Sequence, residues 1–338
     1  MRPFTYQRVA DAPAAVQALA GVASTGEALT NAAIQPLAGG TTLIDLMKLD
    51  VMQPRILVDI NPLAADWSAI SLDGGNLRLG ALARMSDVAA NPQVQQNYPL
   101  VADVLKLAAS PQLRNMATLG GNALQRTRCT YFRDVSYVNC NKRNPGAGCA
   151  ALEGLNRSHA VLGTSEQCIA TYPGDFAQAM IALDATVEII GKSGMRSLPF
   201  SELHKPPGDT PQIETILAPG ELISAFTVPG RWPRSVYLKV RDRQSYEFAL
   251  ASAAVALDIQ DGMVRDARVA LGGVATVPWR ARDAEALIKG ARFDDAVAER
   301  VAEAAFAGAK ARKHNAFKVA LGKRVVSRAL HQAATMEI

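Results

Sequence analysis

The sequence predicts an α+β chain built from more than one folding unit, on three observations. Its 338 residues exceed what one ordinary core encloses, so two or three units are expected. Helix-like and strand-like segments alternate from the start to about residue 230. Beyond that point come consecutive strands and then helices, the order of an α+β unit rather than a doubly wound one.

In chain order, Asp11 is placed to cap a helix through AAVQALAG, ending near Gly21. IQPLAGG reads as a short strand entering a turn, and TTLIDLMKLD as a helix with Leu43, Leu46, Met47 and Leu49 at helical spacing. ILVDI (56–60) and LRLGALA (77–83) read as strands, Ser86–Asp87 as a helix start, and YPLVADVLKLAAS (98–110) as a helix. Residues 111–126 read as a loop-rich crossing. HAVLGT (159–164) and 168–170 read as strands, 173–185 as a helix opened by Pro173 and Gly174, and TVEIIG (186–191) as a strand. A Pro-rich connector, HKPPGDTPQIE (204–214), precedes ELISAFTVP (221–229), and a boundary is expected near Gly230–Pro233. SVYLKVRD, FALASAAVALDIQ and VRDARVALGGVA follow as strands, with a turn at Asp261–Gly262. AVAERVAEAAFAGAKA and FKVALGKRVVSRAL are among the helices that close the chain.

Composition is that of a globular protein, with 49% hydrophobic and 20% charged residues. The net charge of +5 is not gathered into a Lys/Arg run, so nucleic acid is not an expected partner. No apolar stretch has the length of a membrane span, so membrane insertion is not expected. The opening MRPFTYQRVADAPAAVQALAG lacks the compact apolar run of a signal peptide, so export would need another carrier.

The four cysteines, Cys129, Cys140, Cys149 and Cys168, all lie in one stretch, separated by ten, eight and eighteen residues. Disulfides, a structural zinc site and an iron–sulfur cluster each remain open at this point. No secretion signal supports disulfides, and no closely spaced C-x2–4-C pair supports zinc. Cluster ligands can come from an irregular loop. Arg126, Arg128, Arg133, Lys142, Arg143 and Arg157 surround the stretch, against Asp134 and Glu153. Such cations would ease the negative charge of a thiolate cluster, or they simply form a solvated basic loop. Gly146 and Gly148 would let backbone N–H groups turn toward sulfur, or make a turn.

Two glycine loops stand apart from this stretch. LAGGTTLIDL (37–46) sets two glycines between strand and helix, where the N–H groups of Thr41, Thr42 and Leu43 would face an anion. ATLGGNALQ (117–125) adds the Thr118 hydroxyl, close backbone approach at Gly120–Gly121, and Asn122. Together they would hold the two phosphates of a dinucleotide, or they are unrelated turns. Neither is G-x-G-x-x-G, so a nicotinamide-type Rossmann site is not expected.

AGGTTLIDLMK, RNMATLGGN, YLKVRDRQSYEFALAS and VALGGVATVPWRA resemble the flavoprotein subunit of molybdenum hydroxylases, the xanthine and carbon monoxide dehydrogenase family. The resemblance runs from FTYQRV to KHNAFKVALGKR. The cysteine stretch narrows it to the FAD-binding middle subunit of bacterial periplasmic-type aldehyde oxidoreductases, which carries an added 4Fe–4S cluster. The resemblance implies a two-lobed FAD domain of the vanillyl-alcohol-oxidase/PCMH type over 1–230, with a cluster insertion at about 123–170, and a carbon monoxide dehydrogenase flavoprotein-like α+β domain over 231–338. Leu37, Ala38, Gly39, Gly40, Thr41, Thr42 and Leu43 would wrap the FAD pyrophosphate, and Thr118, Gly121 and Asn122 would reach the phosphates and ribityl chain. Ala108 would offer only backbone and van der Waals contact. Asp175 is a candidate for an acidic FAD contact that relatives carry after the second glycine loop, or a helix N-cap. Lys239 and Tyr246 lie on a segment that approaches the flavin ring, and the four cysteines would be the cluster ligands.

The same resemblance implies two partners, a large molybdenum-cofactor subunit that oxidises an aldehyde to a carboxylic acid and a small subunit with 2Fe–2S clusters. The assembly would be a heterotrimer, open to further dimerisation. Electrons would pass through FAD to an external acceptor. No catalytic residue is expected in this chain, and His159, His204, His314 and His331 read as structural or surface groups. The compartment would be the periplasm, by co-export with a partner, or the cytoplasm. A flavoprotein subunit of a hydroxybenzoyl-CoA reductase-like complex and a zinc-stapled, non-redox binding protein are the alternatives.

Overall fold

The computed structural model describes residues 1–21 and 27–337; the segment 22–26 and Ile338 of the expected units lie outside the described residues. Three sheets organise it. The first is parallel, β1 (Thr5–Arg8), β2 (Ile34–Leu37) and β3 (Ile56–Asp59), in the order β1-β3-β2. The second joins β4 (Ile70–Asp73), β5 (Asn76–Gly80), β6 (Thr186–Gly191), β7 (Gly194–Pro199) and β8 (Leu222–Val228) in the antiparallel order β4-β5-β8-β6-β7. The third is an antiparallel sheet of β9 (Ser235–Val240), β10 (Ala251–Gln260), β11 (Met263–Gly272) and β12 (Trp279–Arg280). Among the described residues no helix is long and apolar enough to cross a membrane.

The run ASAAVAL (251–257) is apolar but for Ser252 because β10 is buried on both faces over these residues. Side chains alternate across a strand, so Ala253, Val255 and Leu257 pack with Val326 and Leu330 of the C-terminal helix Phe317–Ala334. Ala254 and Ala256 face the other way, into a core with Phe176 and Met180. Alanine on that face lets the helix Phe176–Ala182 lie close on the sheet.

Several segments differ from the sequence expectation. HAVLGT and 168–170 form no ladder. Their backbone groups find distant partners instead, Val161 and Leu162 N–H both donating to Val274 O, with isolated bridges at Leu162–Ala275 and Ser165–Cys168. The second glycine loop is a short helix, Leu119–Ala123, whose N-cap Thr118 accepts from Gly121 N–H. LRLGALA stops as a strand at Gly80. β1 and β7 were not expected, since their residues are mostly exposed and lack apolar alternation.

Candidate cofactor cleft and thiol site

A cleft of about 680 Å³ opens between the first glycine loop, the Thr118–Thr127 segment and the 204–223 segment that leads into β8, with Thr276 and Val277 of the C-terminal unit on its wall. That volume falls in the range of ordinary ligand sites. Of the residues expected to hold a cofactor, Ala38, Gly39, Gly40, Thr41, Thr42, Leu43, Thr118 and Gly121 line it. The two glycine loops are therefore brought together. Gly40 takes a left-handed conformation, φ +73°, that turns the chain into the helix Leu43–Lys48. At Gly39 a Cβ would strike the Met116 carbonyl, so glycine here lets the first loop pack against the backbone leading to the second.

Other expected contacts lie elsewhere. Leu37 and Asn122 flank the cleft without lining it, and the Asn122 amide reaches Met85 Sδ. Ala108 is buried at the end of the helix Pro99–Leu107, where its carbonyl accepts from Arg114. Asp175 is taken up in a buried ion pair, its carboxylate 2.7 Å from Lys239 Nζ and 2.5 Å from the Tyr237 hydroxyl. Burial pushes the Asp175 carboxyl up, against the pull of Lys239. Asp175 is at the N-cap position of its helix but makes no side-chain cap bond, because the side chain is turned to the sheet. Lys239 also donates to Leu107 O, which ties β9 to the Pro99–Leu107 helix. Tyr246 is exposed in a left-handed turn, and its carbonyl accepts from Arg243. Asp175, Lys239, Tyr246 and Ala108 thus do not line the cleft, the first two because each is the other's partner.

The four cysteines converge. All are free thiols, and all four line one small enclosed space of about 10 Å³ with Tyr131, Phe132, Asn139, Asn141, Lys142 and Gln167. An antiparallel bridge pairs Cys140 with Cys149, and another brings Cys168 against Ser165. Cys149 and Cys168 share a hydrogen bond, which draws Cys149 down to about 6 and drives Cys168 well up. Burial pushes Cys129 up to about 12. His159 Nε2 lies 3.1 Å from Cys129 Sγ, and Ala170 N–H donates to Cys168 Sγ at 3.4 Å. Among the described residues no three His, Cys, Asp or Glu side chains form a ready-made ligand set for a single metal ion.

The surrounding cations do not form a solvated patch, because each finds a partner. Arg128 and Arg133 converge on Asp45, anchoring the cysteine segment to the Leu43–Lys48 helix. Arg157 pairs with Asp242, and Arg143 donates to the carbonyls of Tyr131, Asp134 and Tyr137. Gly146 and Gly148 have positive φ and make a turn; Gly148 N–H donates to Asn141 Oδ1, not to sulfur.

Sequence reading missed a second set of cleft residues. Arg126 Nε lies 2.5 Å from Glu214, and Lys142 Nζ 2.7 Å from the same carboxylate. Burial alone would raise the Glu214 carboxyl, but the two cations outweigh it and bring it to about 2. Lys142, Cys168 and Ala170 line both the thiol space and the cleft. His204 also lines the cleft; its Nε2 meets Ala123 O, and burial lowers the ring to about 4, so it is neutral near pH 7. His159 is likewise lowered by burial to about 4, while His331 pairs with Asp295 at 2.9 Å. No local signal marks the Glu214 set, since its members lie up to 88 residues apart.

Residues 2–231 match the family described as the FAD binding domain in molybdopterin dehydrogenase, and residues 236–333 the CO dehydrogenase flavoprotein C-terminal domain. The chain is 46% identical over 338 residues to the aldehyde oxidoreductase FAD-binding subunit PaoB of Escherichia coli (strain K12), covering 98% of this chain and 99% of that one. It is 27% identical to the glyceraldehyde dehydrogenase medium chain of Sulfolobus acidocaldarius, covering 88% of this chain and 85% of the relative. In fold it is similar to a chain of the carbon monoxide dehydrogenase of Hydrogenophaga pseudoflava, with a TM-score of 0.75, 26% identity, and 98% and 97% of the two chains covered. Two matched units spanning nearly the whole sequence, and a cleft walled by both glycine loops, lead to one assignment: the chain belongs to the FAD-binding subunits of the molybdenum hydroxylase family of oxidoreductases.

Proposed function

We propose that this chain is the electron-transfer subunit of a molybdenum-dependent aldehyde oxidoreductase, receiving electrons from a large molybdenum-cofactor subunit and a small 2Fe–2S subunit and passing them to an external acceptor. The observation that carries this is the 46% identity, end to end, with an aldehyde oxidoreductase FAD-binding subunit. On this reading residues 1–230 form the FAD-binding unit, with the thiol insertion at about 123–170, and residues 231–338 the C-terminal unit. FAD bound in the cleft would supply redox chemistry in one- or two-electron steps. Ala38–Leu43 would wrap its pyrophosphate, and Thr118 and Gly121 would approach from the other side. Thr118 already accepts from Gly121 N–H at 3.3 Å, so its side chain is fixed before any ligand arrives.

Cys129, Cys140, Cys149 and Cys168 are proposed to hold a 4Fe–4S cluster, which would supply single-electron transfer. The donor chemistry fits: four reduced, largely buried thiols face one space, and backbone and imidazole groups reach sulfur. The space itself has room for about one water, so loading requires the thiols to draw apart. The wall shared by Lys142, Cys168 and Ala170 supports short-range electron passage between thiol site and cleft. The chain's own part on this reading is placement and electrostatics, with His204 committed to Ala123 O.

Anaerobic purification with the companion chains tests the proposal. Flavin absorption, iron and labile sulfide, and reduction of the flavin by an aldehyde are the expected results. Zinc without flavin would refute the redox reading; flavin without iron would remove the cluster alone.

A further inference from the structure

Arg126 is 8% exposed and lines the cleft, yet its Nη1 and Nη2 atoms are buried with no hydrogen-bond partner in the chain. Every other part of the group is fixed. Nε is bound by Glu214 at 2.5 Å, and the guanidinium stacks over Phe132 at 4.8 Å from the ring centre. Glu214 is shared with Lys142, so the set holds two cations and one anion and keeps one net positive charge. Buried donors without acceptors are costly, and a fork of N–H groups on a residue of the cleft wall is suited to an electron-rich oxygen.

We propose that Arg126 is a cofactor-contact residue whose terminal guanidinium N–H groups donate to an oxygen of bound FAD. This rests on FAD occupying the cleft. Two oxygens share the required chemistry, those of the pyrophosphate and the carbonyls of the flavin ring. Arg126 lines the cleft and not the thiol space, which favours FAD over a thiol-bound group as the acceptor.

The test compares wild type, Arg126→Lys and Arg126→Gln in the assembled complex. It measures FAD affinity after flavin removal, ADP affinity, flavin midpoint potential, and iron content. Arg126→Gln should bind FAD roughly ten- to a hundredfold more weakly, the effect of losing hydrogen bonds from a charged donor. Arg126→Lys, which keeps the charge and the Glu214 pair, should fall between the two. A parallel loss of ADP affinity at unchanged potential places the contact on the pyrophosphate. Unchanged ADP affinity with a more negative potential places it on the ring, where the cation favours added electron density. If wild type holds FAD but both variants match it in affinity and potential, or if only iron content or melting temperature changes, the inference is overturned. If wild type itself takes up no FAD, the functional reading fails instead.

Discussion

The cysteine segment and the C-terminal unit order their chains by opposite means. In the C-terminal unit, Val255, Leu257, Val269, Leu271, Val301, Val326 and Leu330 fill a continuous apolar core between sheet and helices. Regular structure satisfies most of the backbone, and apolar area supplies the driving force. Between Gln125 and Tyr172 regular structure is limited to the helix Thr130–Arg133. Its buried groups include Arg126, Asn141, Arg143, Asn156 and His159, and its small apolar cluster is built partly from thiols. Such a segment holds its shape through specific partners, so it fails when one partner is taken away. The apolar unit fails gradually, in proportion to the volume removed.

The sharpest way to break this contrast is at the thiols. Cys140→Ser should abolish most iron binding and raise hydrogen exchange across residues 126–172, while the amides of β10, β11 and Phe317–Ala334 keep their protection. Unchanged iron content would remove Cys140 as a ligand. Loss of protection in both regions would show that the two are one cooperative unit, and the comparison would fall.

The same contrast separates what the sequence makes legible from what it does not. β8 and β10 are readable because burial imposes an apolar pattern on their own residues. The cysteine convergence is not readable from spacing, because the Cys140–Cys149 bridge and the Ser165–Cys168 bridge replace the usual close C-x2-C pair. It needed a family resemblance. The family resemblance makes Asp175 and Lys239 cofactor candidates, but each is taken up by the other, 64 positions away. Glu214 sits in what reads as a Pro-rich connector, and only the folded chain sets it between Arg126 and Lys142. Gly39 is legible as a residue that must be glycine, but the reason is Met116 O in addition to any phosphate. A Gly39→Val variant would therefore disturb loop packing as well as FAD binding.

Glu214→Gln comes next in size. It leaves two buried cations without their anion, a class of change that costs about 3–5 kcal/mol. The pH dependence follows from the depressed carboxyl, about 2 in the fold against an ordinary 4.5. A depressed carboxyl contributes stability that is present above about 4.5 and lost as pH falls toward 2. Denaturation of wild type and variant should therefore differ most near neutrality and converge in acid. A gap that is constant with pH would mean that the carboxylate charge is not what holds Arg126 and Lys142.

Leu330→Ala probes the other region. Leu330 is 0% exposed in the C-terminal core, and its truncation should cost about 2–5 kcal/mol by loss of burial and the cavity left behind. Hydrogen exchange should rise in the C-terminal unit, and FAD and iron per folded chain should stay at wild-type levels. Loss of iron without unfolding would tie the thiol site to the apolar core more tightly than the present contrast allows.

The smallest effect tests whether polar partners matter in the apolar unit at all. Asp294 caps the helix Asp295–Ala305, its Oδ1 accepting from Val297 N–H at 2.8 Å. The bond satisfies one N–H that the first helical turn leaves open. Asp294→Ala should cost about 1 kcal/mol, a shift in melting temperature on the order of 2 °C for a chain of this size. Asp294→Asn, which keeps an acceptor oxygen, should recover most of it. Here a single lost partner leaves a small, local deficit because Val297, Val301 and their neighbours still bury the helix against the helices Arg282–Ile288 and Phe317–Ala334. At Glu214 the same kind of loss exposes two buried charges to each other. If the cap variant destabilised the chain as much as Glu214→Gln, partner-dependence would belong to the whole molecule and not to the cysteine segment.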